Sequence, residues 1–129
     1  MQEHEVWLLW AEDDLVMAKR ALLPEREIVH SCLYNIQQCL EKTFKAYLIY
    51  NKQKIRKTHD LELLLEHCSQ YDEGFKMFTI PVADMNPYSV AGRYPDSLFF
   101  MPDVSIAIYG VQHAENILTF VKDKIENTK

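Results

Sequence analysis

Six of the chain's fourteen lysines and arginines fall between positions 42 and 57 (Lys42, Lys45, Lys52, Lys54, Arg56 and Lys57), and no aspartate or glutamate interrupts them. Such a cluster suits a phosphate, which is held by charge-assisted hydrogen bonds. It equally suits a helix C-terminus, where the macrodipole favours cations. His59 follows closely at an expected helix start, where its imidazole could donate to a phosphate beside free backbone N–H groups. The alternative is a histidine packed over the loop as part of the helix cap. Farther on, Gly92 leads into Arg93-Tyr94-Pro95-Asp96. The Arg93 guanidinium offers a fork to phosphate or carboxylate, with Tyr94 as a stacking surface for a base. The other reading has Arg93 paired with Asp96 or Glu41, pinning the loop to the rest of the protein.

Other chemistry is excluded by what is missing. There is no glycine-rich phosphate loop, His-Glu-x-x-His, Gly-x-Ser-x-Gly or EF-hand loop. His4, His30, His59, His67 and His113 show no ligand spacing, so no metal site and no cofactor are expected. Cys32, Cys39 and Cys68 form no Cys-x-x-Cys pair and read as buried thiols of a reducing compartment. Asp13 and Asp14 beside Trp10 are a candidate carboxylate site or simply a polar helix edge.

The elements that must position these residues are helical. The chain has 129 residues, 48% hydrophobic and 26% charged, which fits one soluble domain over 1–129. Three glycines and five prolines are too few for an all-β fold with frequent turns. Trp7, Leu8, Ala11, Leu15, Ala18 and Leu22 predict a helix over 5–23, stopped by Pro24. Val29, Cys32, Leu33, Ile36, Leu40, Phe44, Tyr47 and Tyr50 predict a long one over 28–51. Its other side gathers Ser31, Tyr34, Asn35, Gln38, Glu41, Lys42 and Lys45, expected to face away from the core. Within it Glu41 and Lys45 form an i,i+4 pair of about 0.3 kcal/mol if exposed. Thr58 is the expected cap of a helix over 59–69. A short helix follows over 75–83, interrupted by Pro81, then a loop over 86–102 and a last helix over 103–127. The predicted fold is all-α, an up-and-down bundle of four or five helices. A net charge of −5 argues against a globally basic nucleic-acid coat, and no apolar run reaches membrane-spanning length. The N-terminus carries Glu3 and Glu5 where a signal peptide has basic residues, so the expected compartment is the cytoplasm.

Three stretches in order carry a resemblance. Tyr34-Asn35-Ile36-Gln37-Gln38-Cys39-Leu40-Glu41-Lys42-Thr43-Phe44-Lys45-Ala46 resembles the second-helix signature of HEPN domains (higher eukaryotes and prokaryotes nucleotide-binding). Lys57-Thr58-His59-Asp60-Leu61 and Arg93-Tyr94-Pro95-Asp96 are similar to two further motifs of that family, and Trp10-Ala11 with Asp14-Leu15 to its first helix. The resemblance spans nearly the whole chain. It implies a helical bundle, commonly a homodimer, which binds nucleotides or RNA and works with a small nucleotidyltransferase, in places as a toxin–antitoxin pair. On that reading Lys42, Lys45, Arg56, Lys57, His59, Arg93, Tyr94 and Asp96 bind the ligand, and Tyr88 or Tyr94 is a candidate acceptor of a transferred nucleotide. Some relatives are metal-independent ribonucleases with Arg and His separated by four to six residues. Here Arg26 and His30 have three between them, Arg56 and His59 two, and Asn35 stands where the family's second helix has His. The remaining alternatives are a ribonuclease with a degenerate motif, or a bundle without ligand that dimerises through Tyr34, Tyr109 or Phe120.

Overall fold

The computed structural model describes residues 1–54, 57–87 and 102–127. Among these residues there are five α-helices, one 3-10 helix and no strand: α1 (Glu3–Arg20), α2 (Val29–Tyr50), α3 (Leu61–Ser69), the 3-10 helix Glu73–Phe78, α4 (Thr79–Met85) and α5 (Val104–Asn127). The fold is the expected all-α bundle.

The long helices read their directions off their contacts. His4 packs edge-on to Tyr50, the Lys45 ammonium lies 6.0 Å from the Trp7 ring centroid, and Asp14 pairs with Lys42, so α1 runs antiparallel to α2. Glu12 pairs with Lys122 and Lys19 with Glu115, so α1 is antiparallel to α5 as well. The consequence is that α2 and α5 lie parallel. Gly110 marks their close approach, because a Cβ there would stand 2.8 Å from Ile36 Cδ1 and 2.8 Å from Met85 Sδ.

The core gathers along α2, from Cys32 and Ile36 through Leu40 to Phe44. At one end Phe75 is fully buried among Phe44, Tyr47 and Phe120, with ring centroids 4.7 to 6.3 Å apart. Phe120, half-buried, packs its ring edge-on to Phe75 and Phe78 in this aromatic cluster. Tyr109, like Phe120 a residue expected on a dimer face, donates its hydroxyl to Asp84 at 2.7 Å.

Several local expectations shift. The cap of α3 is Asp60, whose carboxylate accepts from Glu62 N and Leu63 N. Thr58 sits two residues outside, where its hydroxyl accepts from Asp60 N. The helix expected over 75–83 divides into the 3-10 helix and α4. Pro81 fits because it lies in the first turn of α4, where an N–H has no partner to lose. No basic residue occupies the last turn of α2, so Lys42 and Lys45 are mid-helix residues rather than dipole partners. The largest departure is α2's polar side. Glu41 and Lys45 are buried, and Ser31, Tyr34, Asn35, Gln38 and Lys42 are partly covered. The reason is that α1, α3 and α5 all pack on α2 and leave it little free circumference.

The end of α2 closes with Lys52 in the left-handed region, φ 62°. Its N–H bonds to Ile49 O at 2.8 Å and Gln53 N–H to Leu48 O at 3.0 Å, a Schellman closure in which lysine stands where glycine is usual.

Candidate functional site

Gln37, Glu41 and Lys45 occupy successive turns of α2, and all three are buried. The Glu41 carboxylate lies at their centre. One oxygen accepts from Lys45 Nζ at 3.0 Å, and the other is 2.7 Å from His59 Nδ1. Gln37 Nε2 donates to the His59 backbone carbonyl at 3.2 Å. His59 is thus tied to α2 through both ring and backbone, while its side chain stays 74% exposed. With Nδ1 committed to the carboxylate, Nε2 is the nitrogen left to face outward. Such a ring, oriented from beneath by a buried acid, serves as a hydrogen-bond partner of fixed direction. The cluster carries no net charge with His59 neutral and one positive charge with it protonated.

The other basic candidates divide into two kinds. Lys42 is partly buried and bonds to Asp14 at 2.5 Å, so both of α2's candidate lysines already hold a carboxylate. Lys52, Lys54 and Lys57 are exposed along one segment and have no ion-pair partner among the described residues. Arg56, Arg93, Tyr94 and Asp96, together with Tyr88, lie outside the described residues. The structure therefore brings together Lys45 and His59 through Glu41, and places Lys57 beside them in the chain.

The N-terminus of α3 is not an open anion site. Leu61 N–H donates to Asn86 Oδ1 at 2.8 Å, and Glu62 and Leu63 N–H donate to Asp60. Asn86 Nδ2 in turn reaches Asp60 and Glu62 at 3.1 and 3.3 Å. The picture of His59 donating alongside free helix N–H groups is corrected accordingly.

Comparison with known proteins adds the family. The HEPN domain family matches residues 4–124. The chain belongs to that family. No curated protein sequence matches it. Among solved structures, TT1696 from Thermus thermophilus is similar with a TM-score of 0.81 and 22% identity, covering 96% of this chain and 99% of that one. At that identity the likeness concerns the fold.

The rest of this HEPN domain offers little competing chemistry among the described residues. The thiols are buried, and burial pushes Cys32 and Cys39 up to about 12 and Cys68 higher still, which leaves them protonated and unreactive. No three His, Cys, Asp or Glu side chains among the described residues converge as a metal site. Among the described residues no helix is long and apolar enough to cross a membrane. A cleft of about 230 Å³ between the start of α1 and the end of α5 is lined by His4, Leu8, Glu12, Lys122 and Glu126, none of them among the ligand-binding candidates read from the sequence. Sequence reasoning missed Gln37 and undervalued Glu41. The signal that could have found them was their i,i+4 spacing with Lys45 in the middle of the longest apolar stripe.

Proposed function

We propose that this HEPN domain binds the phosphates of a nucleotide or RNA, acting as a homodimer with a nucleotidyltransferase partner in a toxin–antitoxin pair. Family membership supports the ligand class. The observation that carries the site is His59, exposed yet held in one direction by buried Glu41, with exposed Lys57 two residues away. Protonated His59 and Lys57 donate to phosphate oxygens, and Lys52 and Lys54 add positive field along the same segment. Lys42 and Lys45 act from behind by holding Asp14 and Glu41. Arg56, Arg93, Tyr94 and Asp96 complete the site in this reading, with Arg93 as a phosphate fork and Tyr94 as a stacking platform. The separation of Arg56 from His59 does not fit the ribonuclease pattern, so binding rather than cleavage is the proposed activity.

Thermal unfolding with and without ATP, GTP and a short RNA, at low and moderate salt, tests this. A ligand that binds the folded state raises the apparent stability. The expected result is an upward shift that shrinks with salt and is lost in Lys57→Ala and Arg93→Ala. Absence of a shift with all three ligands overturns the proposal.

A further inference from the structure

The outward face of α1 carries an apolar stripe. Trp10 is 55% exposed, and Val16, Met17 and Leu23 are each exposed by close to half. The stripe continues past the end of the helix, because Leu22 and Leu23 N–H still bond to the carbonyls of Lys19 and Arg20. Large apolar side chains gathered on one exposed helix face of a small protein suit a contact surface.

Two opposite charges sit on its midline, Asp13 and Arg20. Neither has an ion-pair partner among the described residues, although their neighbours do. Glu12 and Lys19 pair across to α5, and Asp14 pairs across to α2. The paired residues form a polar rim on either side of the stripe, which is the anatomy of an interface rather than of a solvated face.

The placing of Asp13 and Arg20 decides the occupant. In a two-fold interface a residue that touches a second residue across the axis is touched back by it. Two copies of α1 laid antiparallel about an axis level with Val16 and Met17 bring Asp13 opposite Arg20 along the midline, with Trp10 and Met17 of both copies along one edge of the contact and Val16 and Leu23 of both along the other. Each midline charge meets its opposite, and apolar side chains flank it on both edges. Laid parallel, Asp13 meets Asp13 and Arg20 meets Arg20.

We propose that a second copy of this chain covers the outward face of α1, antiparallel, with two symmetric Asp13–Arg20 pairs fixing the register. This rests on the homodimer of the proposed function and names its surface. The surface differs from the one that Tyr109 and Phe120 would supply, both of them half-buried and in contact with Asp84 and Phe75 of the same chain.

The test is the oligomeric state of the full chain by sedimentation equilibrium. Wild type is expected to be dimeric. Asp13→Arg and Arg20→Asp each set like charges opposite one another at two places, and are expected to weaken the dimer by at least about tenfold. The doubly swapped Asp13→Arg/Arg20→Asp chain restores it, and mixing the two single variants gives a heterodimer. These are exposed positions, and circular dichroism confirms that each variant is folded. A wild-type dimer indifferent to both single swaps, or a double swap that fails to restore association, overturns the α1 surface and leaves the homodimer standing. A wild type that is monomeric at all concentrations overturns both. Association only with a different protein that the single swaps disrupt assigns the stripe to that partner and overturns self-pairing.

Discussion

Two ion pairs in this molecule have the same length and opposite settings. Lys45–Glu41 and Lys19–Glu115 both measure 3.0 Å between nitrogen and oxygen, but the side chains of the first are 7% and 8% exposed and those of the second 50% and 46%. Distance alone makes them equivalent. Burial does not, because a charge withdrawn from water must be compensated inside the protein, while an exposed one is compensated by solvent. The inner pair has a third member, His59, which reaches the same carboxylate from outside, and Gln37 holds the backbone that delivers it. The outer pair joins α1 to α5 and supports nothing else that the structure describes. The lesson is that the inner pair is a constraint on the shape of the 57–60 segment, and the outer one is a surface ornament of small energy.

The sharpest way to break the contrast is Glu41→Leu, which strands Lys45 as an uncompensated buried charge. The expected cost is about 3–5 kcal/mol, read by urea unfolding, and most of it returns in Glu41→Leu/Lys45→Met, where an apolar pair fills the same volume. Phe75→Ala, at the aromatic end of the core, is expected to cost a similar 3–5 kcal/mol. No second substitution of comparable kind restores that loss, since a cavity has no partner to neutralise. Lys52→Gly is expected to raise stability by about 1 kcal/mol by relieving the left-handed backbone that closes α2. If Lys52 adds to the phosphate field, the same variant binds nucleotide more weakly in spite of its higher midpoint.

Smaller effects sharpen the outer side of the comparison. The Lys124 ammonium and the Gly74 N–H hold the Asp72 carboxyl below its ordinary value. A depressed carboxyl stabilises the fold above the unfolded-state value of 3.8, and that contribution is lost as pH falls through the folded value. Asp72→Asn is therefore expected to be less stable than wild type at pH 7, by roughly 0–1 kcal/mol for so exposed a pair, with the gap closing below pH 3.8. Lys19→Ala comes last, with an expected change under about 0.5 kcal/mol that moderate salt abolishes.

The sequence announces the helices because their spacing is local. The stripe from Val29 to Tyr50 and the stop at Pro24 need no knowledge of neighbours. It does not announce how much of α2 is covered, because helical spacing orders residues around an axis without saying how many partners the axis has. Glu41 and Lys45 were accordingly expected in solvent, and lie instead beneath Trp7 and His59. The cap of α3 moved by two residues for a related reason. Both Thr58 and Asp60 are good caps on their own, and Asn86, from a distant part of the chain, ties down Asp60 and supplies the acceptor for Leu61 N–H. The candidate site was legible as a set of residue types in a motif, but the division into paired and unpaired cations was not, since Asp14 is 28 positions from Lys42.

The parallel arrangement of α2 and α5 has a consequence for how the protein comes into being. Antiparallel neighbours such as α1 and α2 form as a hairpin soon after they leave the ribosome. Parallel neighbours cannot, because their connection must travel back the full length of the molecule, and contacts so distant in sequence form late. Until the segment around Gly110 emerges, the apolar stripe of α2 has no permanent cover on that side. The nascent chain is then a hairpin with an open seam, and its last helix is the piece that seals it.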